Sequence, residues 1–152
     1  MENKKIIELV KKIRAETGLG IMEIKSAVED AKGDETKAKQ ILKEKGFKKA
    51  ESKTDRETHQ GRVATYTHST GKIGVMVELQ CETDFVAKHE DFLELTKDLC
   101  LQITAMNPET VDDLLKQEFI KDSSKTIEEM IKTLVAKFGE NMKLTRFARF
   151  EI

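Results

Sequence analysis

The chain of 152 residues is poor in residues that build several common kinds of functional site. It has no tryptophan and one tyrosine, so large aromatic platforms for stacking nucleic-acid bases are not expected. Its two cysteines, Cys81 and Cys100, are too few for a disulfide framework and lack the spacing of a zinc site. Such sparse cysteine usage is typical of a protein in a reducing compartment.

Long apolar segments and a strong charge of either sign are also missing. No apolar run approaches the roughly 20 residues that a membrane span needs. The first residues, Met1 to Lys5, lack the apolar stretch of a signal peptide. A formal net charge of -1 gives no strong basic footprint for nucleic acid. These features predict a cytoplasmic protein with no membrane partner and no direct nucleic-acid partner.

The distribution of charge predicts two structural units. Apolar residues make up 38% of the chain and charged residues 36%, which allows a modest core because the apolar residues cluster periodically. Basic residues exceed acidic residues up to position 60, and the reverse holds beyond it. We predict a helical domain over residues 1–47, a charged linker over 48–60 and a second domain over 61–152.

The first domain is predicted to contain three short helices. Apolar residues recur at intervals of three and four, the spacing of one helical face, over residues 6–13, 24–31 and 38–42. Asp34 is suited to cap the third helix, and Gly46 is expected to end it. Three helices joined by tight glycine turns resemble the UBA-like three-helix fold.

The second domain is predicted to be a small α+β domain, a three-stranded antiparallel sheet with helices packed on one face. Alternating β-rich segments on either side of a turn over residues 69–72 indicate a hairpin. Thr126 and Glu129 have the spacing of a capping box at the start of a helix, and Gly139 is expected to end that helix. The predicted elements are strands over 62–68, 73–80 and 143–151, and helices over 88–106, 111–117 and 127–138.

No residue pattern indicates an enzyme. The three histidines, His59, His68 and His89, have no metal-ligand spacing with cysteines or carboxylates. Gly18 and Gly20 form a lone GxG without a preceding strand, which does not fit a dinucleotide fingerprint. We therefore predict no catalytic residue, no metal site and no cofactor.

The segment Thr83-Asp84-Phe85-Val86 follows a predicted strand and precedes a predicted helix. Connections favour glycine, proline and short polar residues, so a phenylalanine at this corner is unusual. Its ring either packs into the core or projects toward a partner, and residue spacing alone does not decide between these alternatives.

A second candidate contact surface lies at the start of the second helix. Ile21 and Met22 fall outside the apolar face of that helix, so they either complete the small core or form an apolar loop for a partner's helix. Methionine suits adaptable contact surfaces. This loop supports an alternative function, a UBA-like adaptor that binds a peptide or a ubiquitin-like protein.

Three segments together resemble the elongation factor Ts family. They are TGLGIMEIKSAVEDAKGD from Thr17, IGVMVELQCETDFVAKHEDF from Ile73 and KFGENMKLTRFARFE from Lys137, in the order found in that family. The family acts as guanine-nucleotide exchange factor of elongation factor Tu in bacteria and organelles. The resemblance covers almost the whole chain, and the second and third segments are specific in combination.

The resemblance implies a mechanism and a set of partner-binding residues. The chain would bind elongation factor Tu in its GDP-bound and nucleotide-free states and displace Mg²⁺, so that GDP leaves and GTP can bind. Thr83, Asp84, Phe85 and Val86 would dislodge the magnesium, with Phe85 as a wedge. The matched positions of the N-terminal domain, which would grip a helix of the partner's G domain, are Arg14, Ile21 and Met22.

The chain departs from the pattern of longer members of the family. It has one core subdomain instead of two, lacks a coiled-coil insertion, and is short between Pro108 and the helix at Ile127. Short forms are expected to compensate by forming a homodimer through the core sheet. An exposed sheet edge gives a physical motive for such pairing.

Overall fold

The computed structural model describes residues 2–152 and divides the chain into two compact units, one ending at Lys49 and the other beginning at Ala50. The first unit contains helices α1 and α2 and most of α3. The second contains five strands and four further helices. The elements are α1 Glu2–Thr17, α2 Ile21–Asp30, α3 Glu35–Glu51, β1 Gln60–Thr67, β2 Ile73–Cys81, α4 Asp84–Ala87, α5 Glu90–Met106, α6 Val111–Lys116, β3 Glu118–Phe119, β4 Asp122–Thr126, α7 Ile127–Phe138 and β5 Met142–Glu151.

The three predicted helices of the first unit are present and enclose a small apolar core. Its most buried side chains come from all three helices: Ile13, Ile24, Ala27, Val28, Ala38 and Leu42. Asp34 caps α3, because its Oδ1 accepts a 3.0 Å hydrogen bond from the backbone N–H of Lys37. These contacts agree with the helical face that the residue spacing predicts.

Helix α3 does not end at Gly46, so the predicted end of that helix was wrong. The helix continues to Glu51, through the first residues of the segment predicted as a linker. Ala50 is buried in the apolar core of the second unit. Burying the methyl group of Ala50 contributes about 0.8 kcal/mol, which offsets most of the roughly 1 kcal/mol by which a mid-helix glycine disfavours a helix.

The sheet of the second unit has the strand order β1-β2-β5, and both neighbouring pairs are antiparallel. One face of β2, formed by Val75, Val77, Leu79 and Cys81, is buried. Helix α5 packs against β1 and β2 and brings its buried face into the same core, while α7 contacts α5. The predicted three-stranded α+β architecture is therefore confirmed.

A glycine allows β1 to approach β2 closely at the start of the hairpin. Gly61 has a φ of 149°, a conformation that residues with a Cβ rarely adopt. A Cβ at this position would lie 2.3 Å from the carbonyl oxygen of Leu79. The hairpin register at this point therefore depends on glycine.

The structure also contains a short hairpin, β3–β4, that the sequence analysis did not predict. Phe119 anchors it in the core. The amide of the fully buried Gln102 on α5 donates to the carbonyl of Glu118 at 3.0 Å and accepts from the N–H of Ile120 at 2.9 Å. These bonds to a distant side chain satisfy hairpin backbone groups, which a local sequence pattern does not show.

Candidate partner-binding site

The segment Thr83 to Val86 forms the start of a single helical turn, α4, directly after β2. Thr83 is its N-cap, with a φ of −121°, and its Oγ1 accepts a 3.4 Å hydrogen bond from the N–H of Val86. The predicted corner is thus an ordered turn with a capped first residue.

Phe85 projects from this turn into solvent. Its side chain is 88% exposed, whereas the next residue, Val86, is only 7% exposed and Ala87 is buried. The turn is held to the core by the two residues that follow the ring. The structure therefore decides the alternative that spacing left open: Phe85 is at the tip and does not belong to the core.

Exposure of a whole aromatic ring is unfavourable for an isolated protein, since burying such a side chain contributes roughly 1.5–3 kcal/mol. The ring is held outward by a turn with a buried base. This arrangement suits insertion into an apolar gap of another molecule, because little conformational entropy remains to be lost on binding.

Asp84 and Val86 have different positions within the same segment. Asp84 is exposed and its Oδ2 lies 2.7 Å from Nζ of Lys88, one turn further along the chain. Surface pairs of this spacing contribute only about 0.3–0.5 kcal/mol, so this pair leaves Asp84 available for other contacts. The buried Val86 anchors the turn and offers no surface of its own.

The base of the turn is connected to the segment that follows α7. Both oxygens of the Glu140 carboxylate accept hydrogen bonds from Thr83, one from its N–H at 2.9 Å and one from its hydroxyl at 2.6 Å. In the opposite direction, the Glu82 carboxylate accepts a 2.7 Å bond from the N–H of Asn141. Glu140 is not among the residues predicted from the sequence, where its only signal is its place in the segment that begins at Lys137.

The predicted residues of the N-terminal domain lie on both sides of the short loop between α1 and α2. Arg14 is exposed in the last turn of α1. Ile21 and Met22, in the first turn of α2, are 48% and 76% exposed. Neither apolar side chain belongs to the small core of the first unit, so this corner presents apolar and basic groups to solvent.

Both thiols of the second unit are buried, and one of its histidines caps a helix. Burial raises the pKa of both Cys81 and Cys100 to about 11, so both thiols are neutral near pH 7. His89 caps α5, accepting from the N–H of Asp91 at 3.1 Å, and its ring meets Phe138 edge-on at 4.6 Å between centroids. Within residues 2–152, no group of three histidine, cysteine or carboxylate side chains could hold a metal ion.

No helix among these same residues is long and apolar enough to cross a membrane.

The two candidate surfaces are the turn at Phe85 and the corner at Ile21 and Met22. Their exposed apolar and charged side chains can contact another protein, and this geometry supports a partner-binding protein.

Comparison with known proteins gives the same family as the residue patterns. A sequence model described as elongation factor TS matches residues 82–152. Elongation factor Ts of Oleidesulfovibrio alaskensis is 38% identical over 189 positions, covering 95% of this chain and 96% of that protein. Elongation factor Ts of Leptospira biflexa is 38% identical over 190 positions, covering 95% and 96%. The protein of the same name from Maridesulfovibrio salexigens is 37% identical, covering 95% and 92%.

These alignments are longer than the 152 residues of the chain, so they include positions at which the relatives have residues and this chain has none. The chain is thus shorter than these relatives while aligning over nearly their full length. The family match includes both the exposed turn at Phe85 and the segment at Glu140 that contacts it. Identity of this level over 95% of its residues shows that the chain belongs to the elongation factor Ts family.

Proposed function

We propose that this protein is a guanine-nucleotide exchange factor for elongation factor Tu. Its family makes it a translation elongation factor. In the proposed reaction it binds elongation factor Tu carrying GDP, displaces the bound Mg²⁺ and accelerates GDP release, after which GTP binds. The observation that carries the proposal is Phe85, an 88% exposed ring on a turn with a buried base.

The proposed mechanism uses Phe85 as a wedge. Mg²⁺ bridges phosphate oxygens of a bound nucleotide and neutralises part of their charge. Inserting a ring beside the loop that supports the metal would move that loop and weaken nucleotide binding. Asp84 stands beside the ring on the exposed side of the turn and would orient the inserted segment.

The factor would act through differential affinity and would not be an enzyme. Binding that is tighter to the nucleotide-free state shifts the partner toward that state. Because linkage is reciprocal, bound nucleotide must weaken binding of the factor by the same ratio. No acid–base or nucleophilic residue is required, and the two neutral, buried thiols are suited to packing.

The first unit would supply a second contact. We expect Ile21 and Met22 to pack on a helix of the partner's G domain, with Arg14 at the edge of the contact. Their exposure supports this role, since two apolar side chains at a helix start are otherwise left in water. The reaction would take place in the cytoplasm, where translation elongation occurs.

The test is release of fluorescent GDP from purified elongation factor Tu. The full chain should accelerate release, and Phe85→Ala should lower the maximal rate at least about tenfold, the ratio that corresponds to 1.4 kcal/mol of lost contact. The matched control is Ile120→Ala, which truncates an exposed apolar side chain on the β3–β4 hairpin of the same unit. It should leave the rate unchanged.

The possible outcomes distinguish the exchange function from the role of Phe85 in it. If the unaltered chain does not accelerate release, the exchange proposal is wrong. If it accelerates release and Phe85→Ala does so equally well, exchange stands and the wedge assignment is rejected.

We also propose a homodimer formed through the open face of the sheet. Val63, Met76 and Phe150 are exposed on the face opposite the core, and apolar side chains clustered on one sheet face favour association. Sedimentation should show a dimer at micromolar concentration that Met76→Lys converts to monomer. A monomer before substitution rejects the dimer, and a dimer that survives Met76→Lys rejects this face.

A further inference from the structure

Two carboxylates link the exposed turn to the segment after α7, each by accepting hydrogen bonds from the other segment. Glu140 receives two hydrogen bonds from Thr83, while Glu82 receives one from the backbone of Asn141. The two segments are 57 to 59 residues apart in sequence. This pairing connects the base of the turn that carries Phe85 to the end of another helix.

The contact sets the orientation of the Thr83 hydroxyl. A hydroxyl has one proton, and an ionised carboxylate can only accept, so the proton of Thr83 must point to Glu140. The lone pairs of the same oxygen are then directed at the N–H of Val86, which they cap. Glu140 thereby fixes the rotamer that closes the first turn of α4.

Glu140 is itself held in place by its neighbours. Gly139 ends α7 with a φ of 70°, which turns the chain toward β2. The buried Asn141 donates from its side-chain amide to the carbonyls of Thr54 and Arg56, at 3.3 and 2.7 Å. The carboxylate is therefore presented from a fixed backbone and not from a free loop.

We propose that Glu140 is a positioning residue that keeps Phe85 in its outward orientation before the partner arrives. A four-residue helix has almost no stability of its own, because nucleation of a helix is unfavourable. Its order must come from the anchors Val86 and Ala87 and from the cap at Thr83. Loss of the Glu140 carboxylate would free the cap and let the turn sample other conformations.

This proposal rests on the proposed exchange function for its kinetic consequence. If only a fraction of molecules presents the ring correctly, the apparent affinity for the partner falls by that fraction. Glu140→Gln should therefore raise the concentration of factor at half-maximal exchange about tenfold, the scale of one hydrogen bond to a charged group. The maximal rate should stay near its original value, in contrast to Phe85→Ala.

A spectroscopic measurement tests the positioning without any partner. The sequence has no tryptophan, so Phe85→Trp places a single tryptophan at the tip, which can be excited apart from the one tyrosine. Under conditions in which the protein stays folded, adding Glu140→Gln should lower the fluorescence anisotropy of this tryptophan, because the ring gains local motion. The matched control is Glu109→Gln, an exposed carboxylate in the loop after α5, which should leave the anisotropy unchanged.

Substitution of Thr83, the other partner in the hydrogen bond to Glu140, gives a second variant. Thr83→Val keeps the shape but removes the hydroxyl, and Thr83→Ser restores it; the first should lower the anisotropy and the second should recover it. Adding Glu140→Gln to Thr83→Val should lower the anisotropy little further, because the hydroxyl that the carboxylate holds is already absent.

Unchanged anisotropy in both Glu140→Gln and Thr83→Val would overturn the positioning role. A drop in anisotropy without a change in half-maximal concentration would also overturn it, because the turn would then be ordered for stability alone. If the unaltered chain shows no exchange while anisotropy falls as expected, the proposed function fails and the structural role of Glu140 stands.

Discussion

Two adjacent side chains on α4 should have opposite effects when each is truncated to alanine. Phe85 is 88% exposed and Val86 is 7% exposed, although they are neighbours in sequence. We expect Phe85→Ala to lower the maximal exchange rate at least about tenfold and leave folding unchanged. We expect Val86→Ala to weaken folding while leaving the ring present at the tip.

The expected magnitudes follow from burial. Val86→Ala removes two buried methyl-sized groups at about 0.8 kcal/mol each and leaves a small cavity, which together cost about 2 kcal/mol. This corresponds to a change of about 30-fold in the unfolding equilibrium. Phe85→Ala removes a side chain that mostly contacts water, so its effect on the free energy of unfolding should stay within about 0.5 kcal/mol.

The assay is urea unfolding followed by tyrosine fluorescence. The single tyrosine, Tyr66, lies in β1 and therefore reports on the second unit, which also contains α4. With an unfolding slope of about 2 kcal/mol per molar urea, Val86→Ala should lower the midpoint by about 1 M. Phe85→Ala should leave the midpoint unchanged.

If the two variants behave alike, the different roles assigned to Phe85 and Val86 are wrong. Destabilisation by Phe85→Ala would mean that the ring packs on the second unit in solution. Full stability of Val86→Ala would mean that the base of the turn is not anchored, and the preorganised presentation of Phe85 would be lost with it.

Two further predictions concern stability. Gly61→Ala should lower the free energy of unfolding by roughly 1–3 kcal/mol, because it combines a positive φ with a steric clash. Urea unfolding should show a larger loss of stability for Gly61→Ala than for Gly71→Ala, since Gly71 has a positive φ but open space around it. Equal losses would contradict the clash. In the first unit, Lys12 and Lys39 lower the pKa of Glu35 from 4.5 to about 2. Because the folded state favours the ionised Glu35 carboxylate, this group stabilises the fold above pH 4.5, and its contribution is lost as the pH falls toward 2. Glu35→Gln should therefore weaken the first unit near pH 7 and have a much smaller effect near pH 2, measured by thermal unfolding. An equal effect at both pH values would exclude the ion pairs as its cause.

The sequence predicts a helix end correctly where neighbouring residues in the chain determine that end. The capping box of α7 is present, with Thr126 accepting from the N–H of Glu129 at 3.2 Å and Glu129 accepting from the N–H of Thr126 at 3.0 Å. Gly139 ends the same helix in a left-handed conformation. Such signals involve residues within one turn of each other, so periodicity and capping rules suffice.

The features that sequence analysis missed depend on contacts between distant residues. Helix α3 continues past Gly46 to Glu51, and Ala50 in its last turn is buried in the core of the second unit. Hairpin β3–β4 depends on Gln102, which lies in another helix. The exposure of Phe85 could not be decided from spacing, because an isolated aromatic residue after a strand has no periodicity to assign it to a face. The roles of the partner-binding residues stay predictions.

The contact between Thr83 and Glu140 gives a physical reason why two separate segments of the sequence are informative together. The segment from Ile73 to Phe92 contains the turn that exposes Phe85, and the segment from Lys137 to Glu151 contains the carboxylate that fixes the cap of that turn. Either segment alone could serve an unrelated fold, since an exposed ring without a fixed base is mobile, and a glutamate after a helix without a partner is a surface charge. Together they define a surface in which the shape presented to a partner is set before binding. A protein that works by displacing another molecule's loop needs such a surface, because energy spent on ordering its own turn would be subtracted from the energy available to move the loop.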